Sequence, residues 1–151
     1  MTDRAAQAPG TITPEQRAEL LAAADACAVI ELAEACLVVH GDPVVVQAPE
    51  VGLVMLQVRE PVCEERFHLG EVVVTRAEVV LAGQRGWAVR LGTDRTAALG
   101  AAVCDAVAAA GAELAPDVIE LCLVTSRSRS VVAADEWREL LTTEVHFEEL
   151  D

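Results

Sequence analysis

The feature that most constrains the fold is a run of β-strand patterns in the middle of the chain, between two helical halves. Val44–Val46 is a short strand pattern, and Val51–Val58 is apolar on both parities, which is typical of a strand covered on both faces. Glu71–Leu81 is the longest strand pattern, and Gly83–Gly86 predicts a hairpin turn into the alternating segment Trp87–Leu91. We therefore predict a mainly antiparallel sheet with Val51–Val58 as its central strand.

Two helices are predicted before the strands. The segment Thr13–Gln16 reads Thr-Pro-Glu-Gln, which combines a capping threonine, a proline in the first helical turn and a glutamine three residues after the cap. Asp25 is placed to cap a second helix, and Gly41–Pro43 ends the helical stretch.

Two further helices are predicted after the strands. Thr93 or Asp94 can cap the first of them, and Gly111 stops it. A second helical pattern runs from Pro116 to about Leu141, with an expected irregularity at Ser126–Ser130. The succession of elements predicts an α+β fold.

The outer segments complete the predicted organisation. Residues 1–12 are expected to be a disordered leader, and residues 13–150 to form a single domain, since 151 residues suit one domain. Residues 143–150 alternate in hydropathy and predict a short C-terminal strand.

The charge distribution excludes some classes of partner. The net charge is −14, yet residues 51–100 hold as many arginines as acids, so the flanks carry the whole excess. Such a chain repels nucleic acid, whose non-specific binding is mostly electrostatic. No stretch of about 20 apolar residues or signal peptide is found, so we expect no membrane partner and a cytoplasmic location.

The five cysteines favour packing roles. None forms a Cys-x-x-Cys pair, which argues against a zinc site or a disulfide framework. Four lie in helical patterns, where a free cysteine acts as a small hydrophobe. Cys63 lies beside two glutamates, which disfavour its thiolate. We predict that no cysteine is essential.

Motifs for a self-sufficient catalytic site are absent. The sequence has neither a Gly-rich phosphate loop nor a Gly-x-Ser-x-Gly elbow, and its three histidines are too widely spaced for a metal site. We therefore predict no catalytic residue, metal or cofactor of its own. The densest polar cluster contains Arg66, His68 and Glu71, which could act as an anion clamp with an acid/base pair or line the solvent side of a strand. Arg76 and Arg90 could meet on one face of the sheet and contact phosphate, or pair with Glu78 or Glu71.

Five segments, read in order, resemble the PhnG family of the bacterial carbon–phosphorus lyase system. The most characteristic is Phe67–Arg76, which reads Phe-His-Leu-Gly-Glu-Val-Val-Val-Thr-Arg. The others are Ala48–Met55, Gly86 with Leu91–Arg95, Ala101–Ala106 and Thr143–Phe147. The resemblance extends from about Thr13 to Leu150. One departure is the segment Glu60–Glu65, which replaces a Gly-rich loop of many members.

The resemblance implies a non-autonomous enzyme subunit that acts with PhnH-, PhnI-, PhnJ- and PhnL-type proteins. Together with the PhnH, PhnI and PhnL types, PhnG-like proteins transfer a phosphonate onto the ribose C1 of ATP with release of adenine, and the core complex includes the PhnJ type. The family carries over no catalytic residue, so Arg66, His68, Glu71, Arg76 and Arg90 are candidates for binding or interface contacts. Two alternatives stay open: an acidic adaptor or regulatory module unrelated to phosphonates, and a small stand-alone enzyme using the first three of these residues.

Overall fold

Seven elements follow one another along residues 12–142, which are the residues that the computed structural model describes. Within this range there are four helices and a three-stranded antiparallel sheet. The elements are α1 (Pro14–Ala23), α2 (Ala26–His40), β1 (Val44–Arg59), β2 (Arg66–Leu81), β3 (Gln84–Leu91), α3 (Arg95–Ala110) and α4 (Ala115–Leu141). This arrangement confirms the predicted single-domain α+β class.

The predicted helix boundaries are confirmed by the capping contacts. Thr13 and Gln16 form a reciprocal capping box, in which each side chain accepts a hydrogen bond from the other's backbone N–H. The Asp25 carboxylate accepts a hydrogen bond from the Ala28 N–H of α2, and the Asp94 carboxylate accepts one from the Ala97 N–H of α3. Gly111 ends α3 in the left-handed conformation, which glycine adopts without strain.

The strand order β1-β2-β3 corrects the predicted position of the first strand. Val44–Val46 and Val51–Val58 belong to one continuous strand, β1, and β1 lies at the edge of the sheet. The central strand is β2, which pairs with both neighbours. The double-sided apolar pattern of Val51–Val58 therefore does not reflect burial within the described chain, because most of these residues are exposed.

Helix α3 covers one face of β2 and β3, here called the inner face. On this face, Thr75, Ala77 and Val79 of β2 pair with Arg90, Ala88 and Gly86 of β3, and all six are buried. The approach is close because α3 consists largely of alanine and other small residues. A Cβ atom on Gly86 would lie 2.1 Å from the carbonyl oxygen of Ala102. Small residues on both elements thus let the backbones of helix and strand touch.

Buried charges attach α1 to this two-layer body. The Arg17 guanidinium donates to the Asp105 carboxylate at 2.7 Å, and the other oxygen of Asp105 accepts the Trp87 N–H at 3.1 Å. Because both charged groups are nearly buried, removing either partner would leave the other without compensation. This network connects α1, α3 and β3.

Helix α4 has the predicted extent, Ala115–Leu141 against Pro116 to about Leu141, but is more regular than expected. It is helical without interruption through Ser126–Ser130, so the predicted irregularity is wrong. The Thr125 and Ser130 hydroxyls donate back to the carbonyls of Leu121 and Ser126, one turn earlier, which satisfies these polar side chains within the helix.

Two predicted segments fall largely outside the described residues. Of the predicted leader, residues 1–12, only Ile12 is described, and it packs against the hydrophobic core. The predicted C-terminal strand, residues 143–150, lies wholly outside the described range.

Candidate functional site

The most prominent feature of the surface is a two-stranded extension of the sheet, which we call the hairpin arm (residues 53–73). Pairing between β2 and β3 begins only at Val74 and Leu91. Before that point β2 pairs with β1 alone, and the two strands continue to a loop at residues 60–65. No helix of the described chain covers this part of β2, whose residues from Arg66 to Glu71 are all exposed.

Apolar side chains are exposed on both faces of the hairpin arm. Leu53 is 62% exposed and Met55 56% on the face continuous with the inner face, while Val54 is 48% exposed on the opposite face. Further exposed apolar residues of the arm are Leu56, Val62, Phe67, Leu69 and Val73. A two-stranded hairpin is marginally stable alone in water, and exposed apolar surface of this kind is typical of interaction sites.

A bulge in β2 brings three of the predicted site residues onto one face of the arm. Leu56 pairs with Gly70 but Gln57 pairs with His68, so Leu69 is an extra residue in β2. Along an uninterrupted strand Glu71 would face away from His68, because side chains alternate. With the bulge, Arg66, His68 and Glu71 all fall on the face continuous with the inner face.

These three side chains form no preassembled catalytic group. Within residues 12–142, no hydrogen bond or ion pair joins Arg66, His68 or Glu71 to another side chain. Arg66 is the cross-strand partner of Arg59, which contacts Glu64 at 3.4 Å. Like charges at directly paired positions repel each other, and Glu64 supplies a counter-charge to Arg59.

The loop at the tip of the arm is closed by its own carboxylate. Glu60 accepts a hydrogen bond from the Val62 N–H at 2.9 Å and another from the Cys63 N–H. These bonds to the backbone lower the pKa of Glu60. A phosphate-binding loop needs free backbone N–H groups, and here a side-chain anion already occupies them.

The other two candidate residues lie apart from the arm tip and from each other. Thr75 pairs with Arg90 and Arg76 pairs with Val89, so the two arginines lie on opposite faces of the sheet and the predicted meeting is wrong. Arg76 contacts Glu78 at 3.3 Å on the outer face, which confirms the predicted pairing with Glu78.

Arg90 is a structural residue at the end of α1. It is 9% exposed and donates to the carbonyl oxygens of Leu21 and Ala24, the latter at 2.7 Å. A cation at this position satisfies the last carbonyls of a helix and complements its dipole. Burial lowers the pKa of Arg90, while the nearby carboxylates of Asp94 and Asp25 oppose this shift.

A second exposed apolar region, which the sequence did not indicate, is the C-terminal half of α4. Every residue from Ser126 to Thr142 is exposed. Trp137 is 63% exposed, and Val131 and Val132 are more than half exposed. The helix pattern in the sequence predicted the element but not that half of it extends beyond the body.

The described part of the chain contains no group of three or more histidine, cysteine, aspartate or glutamate side chains that could hold a metal ion. None of its helices is both long enough and apolar enough to cross a membrane.

A family model described as phosphonate metabolism protein PhnG matches residues 13–150, which is nearly the whole chain. A search of the curated proteins found no match.

Proposed function

The chain belongs to the PhnG family and so has a role in phosphonate metabolism, and from this premise we propose that it is a non-autonomous subunit of the carbon–phosphorus lyase core complex. In this role it supports the transfer of a phosphonate onto the ribose C1 of ATP, with release of adenine. Its proposed partners are the PhnH-, PhnI-, PhnJ- and PhnL-type subunits, and ATP and the phosphonate are substrates of the assembled complex.

The observation that carries the proposal is the hairpin arm. Leu53 and Val54 are adjacent residues on opposite faces, and both are about half exposed or more. A single neighbouring layer would cover one of them, so covering both requires a partner that encloses the arm. Interfaces of obligate complexes are more hydrophobic than transient ones, which fits an arm that exposes apolar residues on both faces.

The geometry of the arm tip favours a subunit over a stand-alone enzyme. Arg66, His68 and Glu71 share a face but are open to solvent, and no hydrogen bond or ion pair joins them within residues 12–142. Efficient transfer to ATP rather than to water requires a closed site. A partner that covers the arm would enclose this face and bring Arg59 and Arg66 near its own substrates, which are polyanions.

The test is co-expression with PhnH-, PhnI-, PhnJ- and PhnL-type proteins from the same organism, followed by size exclusion and an assay of adenine release. We expect co-elution and ATP- and phosphonate-dependent release of adenine. A monomer that never co-elutes with any of them would refute the proposal. A complex formed with unrelated proteins instead would favour the acidic adaptor.

Point variants show whether the arm is the binding surface. Leu53→Asp and Val54→Asp place a charge on either face of the arm, and Val38→Asp is the control, because Val38 is 87% exposed on α2. Loss of one buried apolar side chain removes about 1.5–3 kcal/mol, so both arm variants should weaken assembly at least tenfold. Equal behaviour of all three variants would place the interface elsewhere.

A further inference from the structure

The structure contains an apolar groove beside α3, and none of the residues that line it belongs to the hairpin arm. It lies between α2, α3 and the beginning of β1, and its volume is about 390 Å³. Its apolar walls come from Ile30 and Leu37 of α2, Leu99 and Val103 of α3, and Val45 of β1. Ile30, Leu37 and Leu99 are half-buried and Val45 is 47% exposed, so these side chains remain accessible.

The groove marks a place where the helical layer of the fold is incomplete. Helix α3 covers the inner face of β2 and β3, but β1 receives little cover from it. Val45 pairs with the buried Val79, so Val45 lies on the inner face. One more helix beside α3 would extend the helical layer over β1, as a two-layer α+β arrangement favours.

The electrostatics of the groove specify its occupant further. Its charged lining residues are Glu34 and Asp42, and no arginine lines it. Neither carboxylate has an ion-pair partner anywhere in residues 12–142. A second copy of this chain, at −14, would approach with more negative charge, whereas a segment carrying lysine or arginine would neutralise the rim.

We propose that this groove binds an amphipathic helix of a partner subunit, with a short apolar stripe flanked by lysine or arginine residues. The inference rests on the proposed subunit function, and the groove would be a second binding surface for partners besides the hairpin arm. The α2 side of the groove extends from Ile30 to Leu37, which corresponds to about 10 Å, or two helical turns. A partner helix of two turns presents apolar residues at positions i, i+3 or i+4, and i+7 to such a groove.

Photo-crosslinking identifies the occupant directly. Thr96 lines the groove and is exposed, so p-benzoylphenylalanine at this position should react with whatever fills it in the reconstituted complex. We expect crosslinks to partner residues three or four positions apart, within an apolar stripe next to lysine or arginine. Crosslinks to partner residues two positions apart would indicate a strand in the groove. Crosslinks to residues 143–151 or to a second copy would show that this chain itself occupies the groove. Each result overturns the proposal.

Charge reversal tests the electrostatic part. Glu34→Lys and Asp42→Lys should each weaken the affinity for the partner about fivefold at low salt, with a smaller effect at high salt. Glu113→Lys is the control, since Glu113 is also exposed but does not line the groove, and its effect should stay below about twofold. Three equal effects would refute the proposal.

The outcomes separate this inference from the proposed function. The groove inference alone is overturned if the complex assembles and releases adenine, position 96 gives no crosslink to a partner, and the three charge variants have equal effects on affinity. A wild-type chain that forms no complex overturns both. Because all these substitutions are at exposed positions, folding of the variants is checked simply by circular dichroism.

Discussion

The sharpest stability prediction concerns Gly86, where β3 touches α3. A Cβ atom at this position would lie 2.1 Å from the Ala102 carbonyl oxygen and 2.3 Å from the Ala106 nitrogen. Both are backbone atoms of α3, so no side-chain rotation relieves the clash. Gly86→Ala can be accommodated only if the helix moves away from the sheet and opens the core around it.

The size of the effect follows from this geometry. Overpacking a core usually lowers the free energy of unfolding by 1–3 kcal/mol, and a clash between two backbones belongs at the upper end. We therefore expect a loss of about 3 kcal/mol, which lowers the Tm of a domain of this length by roughly 6–12 °C.

Two other glycines serve as controls for thermal unfolding followed by circular dichroism. A Cβ on Gly52 would meet nothing within 4 Å, and one on Gly100 would lie 3.3 Å from the Ala33 Cβ. Gly52→Ala should stay within about 0.5 kcal/mol of the wild type. At Gly100 the gain from alanine in a helix, about 1 kcal/mol, offsets a tight contact. If the Tm of Gly86→Ala stays within about 2 °C of the wild type, the close-approach reasoning is wrong.

Three further predictions concern charge and thiols. Arg66→Ala should weaken assembly about tenfold to hundredfold, as expected for a lost charge-assisted hydrogen bond, and adenine release should fall in proportion. The control Arg85→Ala should assemble like the wild type. Normal assembly with reduced adenine release would instead assign Arg66 to substrate binding. Asp105→Asn should lower the free energy of unfolding by about 3 kcal/mol in urea titrations, because its arginine partner stays buried without a counter-charge; an unchanged midpoint would contradict this. Iodoacetamide followed by mass spectrometry should modify Cys27 and Cys63 in the folded chain, as the other three cysteines are buried; rapid labelling of a third would contradict the packing.

Burial explains why three of the cysteines should resist modification, and for two of them a raised pKa adds to it. Burial raises the pKa of Cys122 to about 11. The pKa of Cys104 is raised by its hydrogen bond with the Cys36 thiol and by burial. Since the thiolate is the reactive form, the raised pKa values of Cys104 and Cys122 add to the protection by burial. The hydrogen bond with Cys104 lowers the pKa of Cys36, so burial alone protects that thiol.

The sequence was sufficient for the helix boundaries because their signals are local. The capping box of Thr13 and Gln16 and the caps at Asp25 and Asp94 involve residues three positions apart. A cap satisfies the same backbone groups wherever the helix later packs. The α+β class followed from the order of these local patterns.

The sequence misplaced β1 because periodicity shows which residues are apolar but not what covers them. Val51–Val58 has the composition of a central strand, yet it lies at the edge and continues into the arm. The same pattern suits a strand buried in its own fold and one that a partner covers. Contacts of the whole chain decide between the two.

The candidate site shows the same division between local pattern and tertiary structure. The sequence determined the helices, their caps, the order of the elements and the polar cluster of Arg66, His68 and Glu71. Only the tertiary structure decided that the Leu69 bulge puts these three on one face, and that Arg76 and Arg90 lie on opposite faces. The physical reason is range: a cap depends on neighbours a few residues away, whereas the face of a strand residue depends on its register against a strand far away in sequence.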